Sequence, residues 1–269
     1  NHQGDDSACL GKALSYASSD GLSLASLSTI LAEGVKLVAD DELVIMSTGE
    51  CGSSGTKNNC GVYRDGIPAL QGYGGTTKMF LFDFEMPTEN EVSEDLVSYY
   101  DMPAIWLLNA KIPRTSQYPN NVNCSCWRSG CGEFDIFEVM NTTESSHLIL
   151  TIHDYQGTDD IESGIAIDGY IPRVTLGSMK GGVVFDSEGN AVVFMSNSTS
   201  ISGNISSSDV SNWILKAGTA HTDTLASVLI APALSSSSKK GDAAGGFDKH
   251  SLITNIMVSL FSVVYYMFA

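Results

Sequence analysis

The segment Gly132–Glu138, with the sequence GEFDIFE, constrains the fold of this chain more than any other stretch. Its three carboxylates, Glu133, Asp135 and Glu138, are separated by phenylalanine and isoleucine, which favour a pleated, half-buried surface. Side chains alternate between the two faces of a strand, so Glu133 and Asp135 share one face while the intervening apolar residues enter a core. The segment is therefore predicted to be a β-strand with one acidic face.

The third acid, Glu138, has the wrong parity for that face unless one extra residue bulges out of the strand near Phe137. β-Bulges are frequent beside active sites, where they re-aim a side chain. Two carboxyl groups that flank one glycosidic bond can catalyse its hydrolysis. Alternating acidic and apolar residues are also ordinary on a solvated strand face, so the motif needs supporting context.

Length and composition favour one large β-rich domain. The chain has 269 residues, enough to bury a full core, and the domain is predicted to cover residues 1–233. Sustained helical periodicity is scarce, and many short strands at this spacing predict an all-β sandwich of the jelly-roll type. The net charge of −17 argues against nucleic acid as a partner, because nucleic-acid binding needs a cationic face.

The strands are predicted from alternation, composition and turn signals. They cover residues 14–17, 42–47, 61–64, 78–87, 104–108, 132–138, 147–153, 181–186, 191–196 and 224–231, with a short helix over 211–216.

Six cysteines, an even count, predict disulfides in a secreted chain. They are Cys9, Cys51, Cys60, Cys124, Cys126 and Cys131. The pairing cannot be deduced from spacing; we expect Cys51–Cys60, Cys126–Cys131 and Cys9–Cys124. The last three cysteines could instead ligate zinc, but no second short-spaced Cys/His pair stands nearby, so no metal is expected.

Sequons for N-glycosylation support secretion. They lie at Asn123, Asn141, Asn197 and Asn204, and the first is the least reliable because it abuts a cysteine.

The C-terminal region is typical of a glycosylphosphatidylinositol (GPI) attachment signal. Small residues at 241–246 are followed by a polar spacer at 247–251 and by the uncharged apolar run Leu252–Ala269. Attachment is predicted at Gly241, Asp242 or Ala243, within a linker over residues 234–246, with residues 247–269 removed. The alternative is a tail-anchored helix, which the polar residues of the run and the absence of a following basic residue disfavour. We expect a cell-surface protein held to the membrane by its lipid. Because residue 1 is Asn, either a leader was removed or the chain is the C-terminal portion of a longer reading frame, and the unprocessed tail favours the second.

The order of three elements resembles the catalytic region of family-sixteen glycoside hydrolases, the laminarinase-like retaining β-glucanases. These elements are the strand over 78–87, the segment 102–108 and the acidic strand over 132–138. The sequences PAIWLLNA and CSCW…GCGEFDIFEV resemble more closely the fungal Tos (target of SBF) family of cell-wall glycosyl hydrolases, over roughly residues 14–232. Members of that family carry a further N-terminal region and are often GPI-anchored.

The resemblance implies that Glu133 is the nucleophile and Glu138 the general acid/base, with Asp135 between them. It implies a cell-wall β-glucan substrate and a reaction without a cofactor. A like charge at Asp135 would raise the pKa of a neighbouring carboxyl and help it stay protonated. The chain departs from the laminarinase-like pattern at Met102, where that pattern has tryptophan, and in the cysteine-rich insertion before Glu133.

Four residues are candidates for substrate binding: Trp127, Trp106, His153 and Tyr118. Trp127 lies in a polar loop that leads to Glu133 and is the better candidate for a sugar platform, whereas the apolar neighbours of Trp106 favour a core residue. The alternative function is a non-catalytic glycan-binding or structural wall protein, because one fold hosts many functions.

Overall fold

The computed structural model describes most of the chain in fourteen segments. They are residues 2–7, 11–39, 41–55, 57–58, 60–61, 63–91, 99–108, 133–153, 165–166, 169–187, 190–196, 201–219, 227–228 and 263–267.

The described residues are mainly β-strands. The strands are β1 (His2–Ser7), β2 (Gly11–Leu14), β3 (Tyr16–Ala17), β4 (Leu24–Ala25), β5 (Glu42–Ile45), β6 (Lys78–Glu85), β7 (Ala104–Leu108), β8 (Glu133–Glu138), β9 (His147–His153), β10 (Ile165–Ala166), β11 (Ile171–Pro172), β12 (Ser178–Phe185), β13 (Ala191–Met195), β14 (Ser227–Val228) and β15 (Val263–Met267). A 3-10 helix covers Thr142–Glu144, and the helix α1 covers Ser207–Thr219.

Two sheets contain most of these strands. The larger sheet has the order β10-β9-β8-β7-β15-β5, with β11 also paired to β9, and the smaller has the order β14-β13-β12-β6. The pairings within both sheets are antiparallel. This arrangement confirms the predicted all-β sandwich.

The main hydrophobic core lies between the two sheets. Ile105, Leu107 and Phe134 of the larger sheet belong to one buried cluster with Val183 and Phe185 of the smaller. The rings of Phe134 and Phe185 meet edge to face at 6.1 Å, a geometry that aromatic pairs prefer. The alternation of β7 thus directs every second residue of that strand into the core.

The helix α1 covers the outer face of the smaller sheet. Trp213 stacks on Phe194 at 5.3 Å between ring centroids, and Val184 completes their buried cluster. Burial of this second face explains why β12 and β13 read as nearly continuous apolar runs. No helix among the described residues is both long and apolar enough to span a bilayer.

Strand β15 comes from the predicted GPI tail. Its backbone pairs on one side with β7, where Val263 lies opposite Leu108, and on the other with β5, where Met267 lies opposite Glu42. The sequence did not predict a strand here, because an uncharged apolar run at this position was interpreted as a lipid-attachment signal.

The predicted strands match the structure at most positions. The strands at 104–108 and 147–153 have the predicted bounds, whereas the predicted strand at 14–17 is interrupted at Ser15 and the helix at 211–216 is longer than predicted. The prediction of a strand over 61–64 was wrong. Tyr63 instead exchanges two hydrogen bonds with the hydroxyl of Ser54, its amide donating at 2.8 Å and its carbonyl accepting at 2.7 Å. The segment therefore packs against the loop that the Cys51–Cys60 disulfide closes, instead of joining a sheet.

A buried ion pair fixes the chain just before β7. Arg173, which follows β11, pairs through Nη2 with Oδ1 of Asp101 at 2.7 Å. Its guanidinium also donates to the carbonyls of Met86 at 2.9 Å and Ser145 at 3.0 Å, and Asp101 Oδ1 accepts the amide of Glu89 at 3.0 Å. One cation therefore joins the end of β6, the turn before β7 and the turn before β9.

Substituting Arg173→Met is expected to lower the free energy of unfolding by about 3–5 kcal/mol, because it leaves the buried carboxylate of Asp101 without its cation. Denaturant unfolding measures this change. The matched control is Lys36→Met, which breaks the solvent-exposed pair with Glu91 and should cost no more than about 1 kcal/mol. Equal losses in the two variants would contradict the importance of the buried pair.

Candidate active site

The acidic strand β8 contains the predicted bulge. Against β7, Glu133 lies opposite Leu108, Asp135 opposite Trp106, and Glu138 opposite Ala104, while Phe137 pairs with Ile105 and leaves Ile136 as the extra residue. The register against β9 shifts over the same interval, between Asp135 and Glu138. The bulge prediction near Phe137 is confirmed.

The bulge brings the three acids to the same face of the sheet. Their partners on β7 are each two residues apart, a spacing of about 6.6 Å along a strand. Ile105 and Leu107, between those partners, belong to the main core, so the acids lie on the opposite face. Without the extra residue, Glu138 would point into the core.

The bulge has a clear physical cause in two consecutive large apolar residues. Ile136 and Phe137 are both fully buried in the main core, which a regular strand cannot achieve for neighbours. Phe137 stacks on Phe84 at 5.3 Å and meets Phe82 edge to face at 6.4 Å. Burying each such side chain contributes about 1.5–3 kcal/mol, which offsets the interruption of the strand pairing.

Two of the acids are buried, Glu138 is half-buried, and all three repel one another. Glu133 is 8% exposed and Asp135 is 3% exposed. Burial raises the pKa of Glu133 well above its ordinary value, and the negative charges of Asp135, Glu138 and Glu42 raise it further. Each carboxyl of the group therefore makes it harder for the next one to ionise.

The carboxyl of Glu138 shares a hydrogen bond with that of Asp135. Burial raises the pKa of Glu138 well above its ordinary value, and the charge of Asp135 and this hydrogen bond act in the same direction. Two carboxyls can share a hydrogen bond only when one carries the proton. The arrangement therefore favours a protonated Glu138.

Two predicted substrate-binding residues lie near the acids. Trp106 is directly opposite Asp135 in the strand pairing and on the acid face, but it is only 2% exposed. It therefore belongs neither to the core between the sheets nor to an open platform for sugar rings. The backbone of His153 lies opposite Glu133 across the β8–β9 pair.

Several predicted residues lie outside the described part of the chain. These are Trp127, Tyr118, Cys9, Cys124, Cys126, Cys131, Asn123, Asn197, Gly241, Asp242 and Ala243. Their predicted roles stay predictions.

Of the predicted disulfides, the one between Cys51 and Cys60 is confirmed, with an S–S distance of 1.95 Å. The sequon residues Asn141 and Asn204 are exposed, as a glycan would require. Within the segments that the structure describes, no group of three or more His, Cys, Asp or Glu side chains has the arrangement of a metal site.

Sequence reasoning missed two charged residues, Glu42 and Arg173. Glu42, on β5, acts electrostatically on Glu133. The available signal was the alternation of Glu42-Leu43-Val44-Ile45, which resembles that of the acidic strand. Arg173 makes its contacts across more than seventy residues of sequence, and no local pattern indicates them.

These features define the class of the molecule: a two-sheet β-sandwich with a bulged strand that presents three carboxyls on one face. The chain belongs to the family described as cell wall protein YJL171C/Tos1, C-terminal, whose model matches residues 1–213.

Two fungal relatives illustrate the family. A protein of Candida albicans, named "Probable circularly permuted 1,3-beta-glucanase PGA52", is 55% identical over 97% of this chain and 67% of its own length. One of Saccharomyces cerevisiae, "Probable circularly permuted 1,3-beta-glucanase YJL171C", is 58% identical over 80% of this chain and 54% of its own length. The chain thus spans between about half and two thirds of these relatives.

A solved structure is also similar in part. LamAcat from Zobellia galactanivorans aligns with a TM-score of 0.31 and 18% identity, covering 59% of this chain and 58% of that chain.

The buried acids should cost stability in a pH-dependent way. A carboxyl whose pKa is raised by folding contributes stability below its unfolded pKa, near 4.5, and that contribution is lost as the pH rises toward the folded value. We therefore expect Glu138→Gln to raise the free energy of unfolding by about 1–3 kcal/mol at pH 7.5 and to leave it nearly unchanged at pH 4. Urea unfolding at both pH values tests this. The exposed acid Glu33 supplies the control Glu33→Gln, and the same gain in both variants would contradict the expectation.

Proposed function

We propose that this chain carries the catalytic site of a retaining β-1,3-glucanase or glucan transglycosylase of the fungal cell wall. The observation that supports this most directly is the bulge in β8, which brings Glu133, Asp135 and Glu138 to one face. The hydrogen bond between Asp135 and Glu138 adds a means of keeping one acid protonated.

The comparisons support the same substrate class. The relatives are named probable circularly permuted 1,3-β-glucanases, and the family description places its members among cell wall proteins. Because the chain spans only part of those relatives, the activity proposed for it is that of the site it contains.

In the first step, Glu138 donates its proton to the oxygen of the scissile glycosidic bond while ionised Glu133 attacks the anomeric carbon. The bond to the leaving sugar breaks, and a covalent glycosyl ester forms on Glu133. In the second step, Glu138 now acts as a base and removes a proton from the incoming hydroxyl, which displaces Glu133 with a second inversion. Configuration at the anomeric carbon is therefore retained.

Asp135 has a separate task in this mechanism. Its charge and its hydrogen bond raise the pKa of Glu138. Glu138 therefore stays protonated until it transfers its proton to the leaving oxygen. The same charge raises the pKa of Glu133, which disfavours the ionised nucleophile. Activity therefore requires a pH window in which Glu133 has lost its proton and Glu138 has kept it.

We expect Glu138→Gln to lower kcat by about 10²–10⁴-fold on β-1,3-glucan, the usual contribution of a positioned acid/base. Glu133→Gln should lower it to background, because an amide cannot form the glycosyl ester. Reducing-sugar release from β-1,3-glucan, mixed-linkage glucan, β-1,6-glucan and chitin measures both losses and the linkage preference. The control Glu85→Gln, an exposed acid on β6, should keep wild-type turnover.

Normal turnover in Glu133→Gln would overturn the catalytic assignment. A wild type that binds glucan but cleaves none of the four polysaccharides would favour the non-catalytic glycan-binding alternative. Laminari-oligosaccharides separate hydrolysis from transfer, because products longer than the starting oligosaccharide arise only when a sugar hydroxyl replaces water.

The proposed location is the outer surface of the cell, with a GPI anchor attached at 241–243. The small residues, polar spacer and apolar tail support it. Anchor attachment would remove strand β15 together with the tail and leave the edges of β5 and β7 free to pair with another strand.

Treatment of cells with phosphatidylinositol-specific phospholipase C is expected to release the protein from membranes, as detected by immunoblotting. A variant in which residues 241–243 are replaced by tryptophan should not acquire the anchor, since attachment requires small residues. Retention of the C-terminal apolar peptide in the membrane-bound protein, shown by mass spectrometry, would contradict the proposal.

A further inference from the structure

We propose that His147 and Tyr170 form an aromatic platform that binds a glucosyl unit of the substrate beside Glu138. This inference rests on the proposed function, because it assigns a binding role next to the acids of that same site. The platform lies at the outer edge of β9, on the face of the larger sheet that carries the three acids, here called the acid face.

The first observation is the face of β9 on which His147 lies. Leu148 and Leu150 are fully buried in the main core. Since side chains alternate along a strand, His147 and Ile149 lie on the opposite face. Ile149 is directly opposite Glu138 in the β8–β9 pair, so this is the acid face. His147 therefore lies on the acid face, two residues or about 6.6 Å further along the strand than Ile149.

The second observation is that Tyr170 joins His147 from the neighbouring strand. In the pair of β11 with β9, Ile171 is opposite Leu148 and Pro172 is opposite His147. Ile171 is buried in the main core, so the residue before it turns away from the core. The rings of His147 and Tyr170 stack, with centroids 3.7 Å apart and an angle of 24° between their planes. This contact places both rings on the acid face.

The third observation is how accessible this part of the acid face is. Asp135 is buried, whereas Glu138, His147 and Tyr170 are half-buried. Over the described residues, the acid face is therefore more open to solvent at the Glu138 end, where the two rings lie. A polysaccharide has to approach the acids from solvent, so this end is a suitable place for part of it to bind.

The fourth observation is the separation of the platform from Glu138. Tyr170 and Glu138 lie on either side of β9, and neighbouring strands are about 4.8 Å apart, so their backbones are separated by about 10 Å across the sheet. A glucan chain extends in both directions from the bond that is cleaved. The platform is therefore placed to contact a sugar unit that flanks the scissile bond.

The chemistry of the two rings suits a sugar. A pyranose ring presents C–H bonds on its faces and hydroxyl groups around its rim. The π face of an aromatic ring carries partial negative charge and attracts such C–H bonds. The hydroxyl of Tyr170 and the ring nitrogens of His147 can form hydrogen bonds with the sugar hydroxyls. Because each ring already restrains the other, little side-chain freedom is lost when the sugar binds.

The test is the affinity for laminarihexaose, measured by calorimetry in the full chain carrying Glu133→Gln, so that the ligand is not cleaved. We expect Tyr170→Ala and His147→Ala, each added to this parent, to raise Kd by roughly two- to tenfold, the affinity equivalent of one aromatic contact. Tyr170→Phe keeps the stacked ring and should keep most of the affinity.

The control is Leu215→Ala, which removes a side chain that is 67% exposed from the helix α1. This helix covers the outer face of the other sheet, so the control should leave Kd unchanged. Equal affinity of the parent and both alanine variants would overturn the inference.

Steady-state kinetics separates binding from a structural role in which the two rings only hold β11 against β9. With Glu133 intact, Tyr170→Ala should raise KM for β-1,3-glucan by the same factor and leave kcat nearly unchanged, because the platform binds the ground state and the transition state alike. A structural role predicts a lower melting temperature and a lower kcat without a selective rise in KM. Unchanged KM beside normal turnover would overturn the inference and leave the proposed function intact.

A further measurement does not depend on the folding of the alanine variants. The imidazole C–H signals of His147 are followed by NMR while laminarihexaose is added to Glu133→Gln, with His147→Gln used for assignment. A saturable shift of these signals supports the platform, and binding without a shift would refute it. If the oligosaccharide does not bind and the wild type cleaves no glucan, the proposed function and the platform both fail. If the shift occurs but the wild type cleaves no glucan, only the catalytic proposal fails.

Discussion

The β-bulge at Ile136 is the constraint on which the rest of the site depends. Two neighbouring apolar side chains, Ile136 and Phe137, both enter the core, and a strand can achieve this only by inserting one residue. The insertion reverses the parity of the next position and sends Glu138 to the face of Glu133 and Asp135. The packing of the core and the placement of the acids therefore depend on the same inserted residue. The aromatic contacts of Phe137 hold this bulge in place.

The site is built at a cost in stability that the surrounding structure offsets. Burial and mutual repulsion raise the pKa values of Glu133 and Glu138, so each carboxyl opposes folding as the pH rises. The cluster lies on strands that are buried on both faces, with β7 buried at every position. Arg173 joins three chain segments just outside these strands, so a charged but fully paired group stabilises the frame around the mutually repulsive acids.

The sequence predicts what local patterns determine. Alternation located β8, the apolar run located β7, and the parity of Glu138 required a bulge that the register confirms. Residues whose roles depend on distant partners were not predictable in this way. Glu42 comes near the site only because of the order of the strands in the sheet. Arg173 reaches its partners only because the chain reverses direction between them. The segment at 61–64 has strand-like composition, but the disulfide between Cys51 and Cys60 and the hydroxyl of Ser54 supply its constraints instead. Strand β15 was missed because apolar composition is shared by membrane signals and sheet strands.

The central claim is that Glu133 forms a covalent bond with the sugar while Glu138, turned to the same face by the bulge, supplies the proton. The most direct measurement is peptide mass spectrometry after incubation with a 2-deoxy-2-fluoro laminaribiosyl fluoride, whose glycosyl ester hydrolyses slowly. The account predicts one added glycosyl group on the peptide that contains Gly132–Glu138, located on Glu133 by fragmentation. A label on Glu138 or Asp135, or turnover of β-1,3-glucan with inversion of the anomeric configuration and no label, would contradict it.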